Sequence, residues 1–357
     1  MGLIVFLCFF LSGASGLLFE VLWTRELGLI FGSTTLAMST VLSVFMGGLA
    51  LGSYLCGRAV KRIQRPLRAY ALVEAGVGLY ALSVPLTLSY YPALNSLMWR
   101  VVGDHYPVLS LLRFLATALL LLLPTTLMGA TLPLLSQYLS TRKNPRGVLG
   151  ASVQIGALFA LNTAGAVLGT FLSGFQLLPR LGISHTNYVG AAVNLTLAGI
   201  ILLLERRILR QDQAAKNTPE SDQEPIPQRA ESTAAQRYIP SQNQRWAAVC
   251  AYAISGATAM VYQVLWTRAL AIVLGSSIYS FTLILLAFLI GLAGGAAVVT
   301  RLLPRIERPV LVLALVHGLT LLTAGYSYLT IDRLPELFLI ILRGGSFSVD
   351  ELLIAQF

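Results

Sequence analysis

Residues 12–33 read SGASGLLFEVLWTRELGLIFGS, and residues 255–276 read SGATAMVYQVLWTRALAIVLGS. The second stretch repeats the first at an offset of 243 residues, from Ser12 to Ser255. The offset holds without a gap as far as the Arg-Pro pairs at 65–66 and 308–309. Because so many polar and aromatic positions align in register, we infer two copies of one structural unit.

The sequence around both copies is strongly apolar. Of the 357 residues, 56% are hydrophobic and 11% are charged, whereas a soluble domain carries about 25% charged residues. So little polar surface cannot cover such a core in water, and we expect most of the chain to lie in a lipid bilayer. A span needs roughly 20 apolar residues. The predicted spans are 3–31, 33–57, 68–91, 109–139, 148–178, 183–204, 246–274, 276–303 and 309–331.

The basic residues predict how these spans are oriented. Eighteen of the 25 Lys and Arg residues fall in or next to the breaks after the even-numbered spans, and five fall in or near the other breaks. The positive-inside rule therefore places the N-terminus in the cytoplasm, with the chain in the plasma (inner) membrane. This distribution argues against a nucleic-acid partner. Cys8, Cys56 and Cys250 all lie in apolar runs and match no disulfide framework or metal site, so we expect neither a metal nor a cofactor.

The position of the repeat predicts the domain plan. Six spans separate the copies, so both copies face the same way, as in the two halves of a major-facilitator transporter. We predict an all-α integral membrane protein with a major-facilitator-like bundle and a parallel repeat. A first six-helix half occupies 1–205, a disordered cytoplasmic linker 206–245, and an incomplete second half 246–357. The second half would hold three spans and an interfacial helix at 334–343, and a similar interfacial helix is expected at 91–102.

Three segments carry a resemblance to a known family: 12–62, 124–139 and 161–182. They resemble the membrane region of the fused major-facilitator/spermidine-synthase proteins, in which a multi-span region precedes a cytosolic aminopropyltransferase-like domain. The resemblance implies a polyamine-related membrane protein. This chain departs from the family because it has no strand followed by a glycine-rich loop for an adenosyl cofactor, and no acidic pair after one. We therefore expect no catalytic residues and no spermidine synthesis by this chain alone.

Ionisable side chains within the spans are the candidate binding residues. Each costs roughly 2.5–3.5 kcal/mol at a helix centre, so each calls for a functional explanation. Glu20 lies on span one and Glu74 on span three, and the 243-residue offset pairs them with Gln263 and His317. Our hypothesis is that the two carboxylates bind a cation or polyamine near the bilayer midplane, with Gln263 and His317 as their counterparts in the second half.

Other residues of the spans are candidates for gating, bending or packing. Arg25 and Arg268 either tune and gate the site, or simply extend outward or pair with carboxylates to hold helices together. Pro124 and Pro133 in span four form either a hinge for alternating access or a static kink. Asn162 and Asn194 are expected to bond to neighbouring helices. Glycines four residues apart predict close helix packing, at Gly28/Gly32, Gly48/Gly52, Gly165/Gly169 and Gly291/Gly295.

Two functions of different classes fit this sequence. The first is a transporter for a small organic cation, favoured by the paired halves and the carboxylates within the spans. The second is a membrane module that anchors or regulates an aminopropyltransferase domain and transports nothing, favoured by the family's fusion of the two parts. A third possibility, that the full gene product is itself an aminopropyltransferase, concerns sequence beyond Phe357.

The orientation can be tested by labelling the two equivalent basic turns. We expect Arg62→Cys and Arg305→Cys, each in a cysteine-free background, to react with an impermeant maleimide from the same side of oriented membrane vesicles. Six intervening spans return the chain to the face from which it started. Labelling from opposite sides would contradict the parallel repeat.

Overall fold

The computed structural model describes residues 2–31, 34–103, 105–141, 147–216, 241–274 and 277–330, together with Arg333 and Glu336. Within these ranges the chain is helical and contains no strand. The helices are α1 (Gly2–Phe31), α2 (Thr34–Ala59), α3 (Pro66–Val102), α4 (Tyr106–Thr141), α5 (Gly147–Phe171), α6 (Leu178–Lys216), α7 (Gln242–Leu274), α8 (Ser277–Leu302) and α9 (Pro309–Thr330).

Eight helical stretches in this part of the chain are long and apolar enough to cross a membrane. The fold is therefore a helical bundle compatible with a membrane-embedded protein. One stretch, Ser152–Arg210, has 59 residues, or about 90 Å at 1.5 Å per residue, against roughly 30 Å for a bilayer core. It joins α5 to α6 through a π-helical segment, Leu172–Leu177. Gly182, with a non-helical φ of 72°, lies at the predicted break between two spans.

Helix α5 runs in the same direction as α1. Near one end of the contact, Asn162 Nδ2 donates to the carbonyl oxygen of Phe9 at 3.0 Å. Further along, Gly169 packs against the backbone of Ala14. The residue numbers rise together on the two helices, so the pair is parallel.

Helix α6 runs in the opposite direction. Trp23 Nε1 donates to Asn187 Oδ1 at 3.3 Å, and Gly190 packs against Phe19. The numbers rise on one helix as they fall on the other, so α6 is antiparallel to α1. The chain therefore reverses between α5 and α6, where Gly182 supplies the left-handed backbone conformation that glycine adopts most readily.

The buried core lies mainly among the first six helices, and Phe281, Leu285 and Leu289 of α8 also belong to it. The most extensive packing joins three helix pairs, α2 with α4, α1 with α5, and α3 with α6, while α8 packs on α5. Trp23 is the largest fully buried side chain, and its ring stacks on Phe19 with centroids 5.2 Å apart. In contrast, no residue of α9 is buried within the described chain.

The boundaries of the last helices repeat those of the first half. Helix α2 is followed by the 3₁₀ turn Val60–Arg62, and α8 is followed by the 3₁₀ turn Leu303–Arg305, which is 243 residues later. The residue after each turn has φ −82° and ψ 108°. Helices α3 and α9 then begin with Pro66 and Pro309, since proline suits the first position of a helix. The parallel repeat of whole halves stays a prediction.

Several boundaries differ from those expected. The separate interfacial helix predicted at 91–102 is wrong, because α3 continues unbroken to Val102. Gly103, with φ 62°, ends α3 and donates its N–H to the carbonyl of Trp99 at 2.9 Å. Helical backbone extends to Lys216 and resumes at Gln242, within the segment expected to be the linker. Residues 217–240 lie outside the described chain, as does the expected helix at 334–343 apart from Glu336.

Glycines bring two helix pairs into backbone contact. A Cβ atom on Gly165 would overlap the carbonyl oxygen of Phe10, and one on Gly52 would overlap that of Thr126. The prediction of close packing is thus confirmed for the Gly165/Gly169 and Gly48/Gly52 pairs. It is wrong for Gly291/Gly295, because no heavy atom of the described residues lies within 4 Å of a Cβ built there.

Pro124 and Pro133 lie inside a continuous α4. Each removes the N–H that would bond to the carbonyl four residues earlier. Tyr80 Oη donates to the freed carbonyl of Leu120 at 2.5 Å, and Ser53 Oγ donates to that of Gly129 at 2.9 Å.

Pro85 in α3 follows the same pattern. Asn187 Nδ2 on α6 donates to the carbonyl of Ala81 at 2.6 Å. Three prolines in α3 and α4 thus have their freed carbonyls bonded by a side chain of another helix. These bonds satisfy carbonyls that the prolines leave without a helical donor. A hinge role for Pro124 and Pro133 remains a prediction.

We expect Gly165→Ala to lower the free energy of unfolding by about 1–3 kcal/mol, because the overlap with a backbone carbonyl cannot be relieved by a rotamer change. The matched control is Gly47→Ala in α2, which has open space around its Cβ position within the described structure. It should leave the stability unchanged or raise it by about 0.5–1 kcal/mol, as alanine favours a helix over glycine. Thermal unfolding of the purified protein in detergent measures both. Equal effects would refute the close α1–α5 contact.

We expect Tyr80→Phe to destabilise the protein by about 1–3 kcal/mol, because it leaves the buried carbonyl of Leu120 without a donor. Ser83→Ala is the control, since the exposed Ser83 hydroxyl bonds only within its own helix. The same unfolding measurement compares them. A harmless Tyr80→Phe would show that this carbonyl needs no donor from α3.

Candidate functional site

A cavity of about 80 Å³ lies inside the six-helix bundle. Apolar side chains form part of its wall, including Phe45 and Leu49 of α2. The remaining wall is polar and comes from five helices. Its polar side chains are Ser12 and Ser15 of α1, Glu74 of α3, Thr131 of α4, Asn162 of α5 and Asn194 of α6.

Glu74 carries the one carboxylate of this wall. It lies on the buried stripe of α3, one turn after Tyr70 and one turn before Gly78, so helical periodicity directs it into the bundle. Its side chain is 1% exposed. Ser12 Oγ donates to its Oε1 at 2.6 Å. No basic side chain in the described chain pairs with it.

The hydroxyl protons of the wall are already used. Besides the Ser12 bond to Glu74, Ser15 Oγ donates to the carbonyl of Ser12 at 3.0 Å. Thr131 Oγ1 donates to the carbonyl of Met128 at 2.7 Å. The groups that these three side chains leave for a ligand are therefore oxygen lone pairs.

The two asparagines behave differently. Asn162 bonds to α1 through its amide nitrogen, as expected. Asn194 is 2% exposed, and its Oδ1 has no hydrogen-bond partner in the described structure. The expectation that it bonds to a neighbour is thus wrong for this oxygen. The cavity wall holds an excess of acceptors, which a hydrogen-bond donor or a cation would satisfy.

Glu20 is also buried, at 1% exposed, but it does not line this cavity. Within the described chain, neither of its carboxylate oxygens has a hydrogen-bond partner. Glu20 lies eight residues beyond Ser12 on α1, or about 12 Å along the helix. Glu20 therefore lies outside the wall of the Glu74 cavity, and a polyamine site shared by the two carboxylates stays a prediction.

The residues paired with them by the repeat lie away from the cavity. Gln263 of α7 is buried, and its amide oxygen and nitrogen find no partner among the described residues. His317 of α9 is half-buried, with Nδ1 2.9 Å from the carbonyl of Leu313 and Nε2 unpartnered there. Neither residue lines the Glu74 cavity.

Arg25 and Arg268 both have exposed side chains. Neither forms an ion pair with a carboxylate in the part of the chain that the structure describes. Side chains that extend outward toward the membrane interface are expected to be exposed, as these two are. Neither arginine lines the Glu74 cavity. A gating role remains a hypothesis.

Sequence reasoning missed Arg113, which lies near the start of the predicted span 109–139. It is 6% exposed, and its Nε donates to Asn95 Oδ1 at 2.9 Å. Its guanidinium carbon lies 5.5 Å from the centroid of the Phe31 ring. Its partners lie on other helices, and the sequence alone does not show that these residues come close to Arg113.

Comparison with curated proteins finds a distant relative. The chain is 28% identical over 202 residues to Polyamine aminopropyltransferase 1 of Streptomyces coelicolor. The match covers 56% of this chain and 34% of that protein, so the chain spans about a third of the relative's length. No family model matches the chain, and no solved structure matches it. The chain is therefore an apolar helical protein with a distant, partial relation to a polyamine aminopropyltransferase.

Proposed function

We propose that this chain is the transporter-like membrane region of a fused spermidine-synthase family protein, and that it carries a polyamine or another small organic cation across the plasma membrane. The observation that carries this proposal is Glu20. Its carboxylate is buried among the first six helices and has no partner in the described structure.

A buried carboxylate without a partner is costly, and a counter-charge lowers that cost. An alkylammonium group supplies both a positive charge and N–H donors. In transporters built from repeated halves, substrates bind near the bilayer midplane within the bundle. Glu20 is the 19th of the 30 residues of α1, which agrees with a position well inside the bilayer.

The helix plan supports the same function. If the reversal between α5 and α6 is a turn at the membrane surface, the chain crosses the bilayer nine times. The recurrence of helix boundaries after 243 residues then fits two like-facing halves with a cytoplasmic N-terminus. Gln263, the counterpart of Glu20, is likewise buried without a partner in the described chain, so it is a second candidate contact for the substrate.

We expect Glu20→Gln to reduce uptake of radiolabelled spermidine into proteoliposomes by about tenfold or more, because the amide removes the charge that holds the ammonium group. The matched control is Glu205→Gln, which removes another buried carboxylate near the cytoplasmic end of α6. It should transport as the unchanged protein does. Unchanged uptake by Glu20→Gln would remove Glu20 from the substrate site.

The second candidate function is an anchor or regulatory module for an aminopropyltransferase domain. The observation in its favour is that the similar protein is named an aminopropyltransferase. This chain matches 34% of that protein. Proteoliposomes separate the two functions, because an anchor takes up no cation with or without Glu20. Reading the gene beyond the codon for Phe357 shows whether an enzyme domain follows in frame.

A further inference from the structure

The cavity beside Glu74 has a wall chemistry that the substrate proposal does not use. The hydroxyl protons of Ser12, Ser15 and Thr131 and one amide proton of Asn162 are directed to other acceptors. These hydroxyls and Glu74 therefore offer a ligand oxygen: the carboxylate and the hydroxyl lone pairs. Oxygens of this kind are the ligands that hard cations prefer.

Asn194 is an independent sign of a ligand. It comes from a different helix, α6, and is 2% exposed, yet its Oδ1 has no partner in the described structure. An acceptor left unbonded in a buried position costs about 1–3 kcal/mol. A cation in the cavity would satisfy this oxygen and the Glu74 carboxylate together.

The volume limits the size of the ligand. A cavity of about 80 Å³ has room for an ion with a few water molecules, given the roughly 30 Å³ that each water occupies in the liquid. An extended polyamine cannot lie within it as a whole. The cavity is therefore suited to an inorganic ion rather than to the substrate proposed for Glu20.

The charge limits the ion further. Glu74 is the one carboxylate that lines the cavity, so a monovalent cation gives a neutral site. A divalent ion would leave a net positive charge buried, which is costly in the absence of a further anion. The described residues also contain no group of three His, Cys, Asp or Glu side chains of the kind that holds a transition metal.

We infer that the cavity formed by Ser12, Glu74 and Asn194 is a binding site for one small inorganic monovalent cation, with Na⁺ as the ion that its oxygen ligands suit. The site draws ligands from α1, α3 and α6, so the bound ion links three helices and stabilises the bundle. This goes beyond the proposed transport of an organic cation, and binding is measured without any transport.

The test uses the full purified chain in detergent, with thermal unfolding followed at constant ionic strength as NaCl replaces choline chloride. We expect a saturable rise of Tm with Na⁺, because a ligand that binds only the folded state stabilises it. Binding of ²²Na⁺ should saturate at one ion per chain. No Na⁺-dependent shift and no ²²Na⁺ binding in the unchanged protein would overturn the inference, whatever the variants do.

Two variants and one control assign the site. Glu74→Gln should abolish ²²Na⁺ binding, and Asn194→Ala should weaken it by about tenfold or more. Glu205→Gln removes a buried carboxylate elsewhere on α6 and should bind Na⁺ normally. If Glu74→Gln does not fold, Asn194→Ala alone decides. Normal binding by Asn194→Ala would overturn the assignment.

Other cations separate this site from the substrate site. Any change in Tm that spermidine causes at the same ionic strength should be equal in the unchanged protein and in Asn194→Ala, because the chain of a polyamine exceeds the cavity. A spermidine shift that depends on Asn194, without a Na⁺ shift, would overturn the inference in favour of an ammonium site. If the unchanged protein binds Na⁺ but takes up no spermidine, the transport function is refuted and the ion site stands.

Discussion

In a hydrocarbon layer, a backbone carbonyl that loses its helical donor has no water to replace it. This constraint governs the first six helices. Prolines inside α3 and α4 free carbonyls at Ala81, Leu120 and Gly129, and side chains of other helices donate to all three. Each freed carbonyl therefore depends on a side chain of a particular neighbouring helix, which fixes the register of the two helices. The prolines and the packing of the bundle depend on each other.

The apolar spans and several details of the packing could be predicted because they depend on local sequence. Apolar length determines where helices run, and glycines at 165 and 169 allow a neighbour to approach closely. The same spacing at Gly291 and Gly295 gave a wrong prediction, because spacing permits contact without supplying a partner. Residues 91–102 are helical as expected but belong to α3, since Tyr91 and Trp99 suit an interface as well as the continuation of α3.

The sequence places Glu20 and Glu74 on predicted spans as candidate binding residues, and the structure buries both side chains. Which residues line the cavity could not be predicted. The separation of the two carboxylates depends on which turn of α1 faces α3, and a single helix pattern does not contain that information. Asn162 and Asn194 look alike in sequence, yet one bonds to a backbone carbonyl and the other keeps a free oxygen. That difference arises from the neighbouring helices alone.

The pairing of the helices has a mechanical consequence. Backbone contact at Gly165 and at Gly52 holds α1 to α5 and α2 to α4, while Gly78 brings α3 against Ala191 of α6. A slide within such a pair would push side chains into the main chain, so we expect each helix pair to move as one rigid unit. The Glu74 cavity takes its polar wall from all three helix pairs. A tilt of one pair against another changes the distances between the wall oxygens, so ligand binding in the cavity and the arrangement of the helix pairs are coupled.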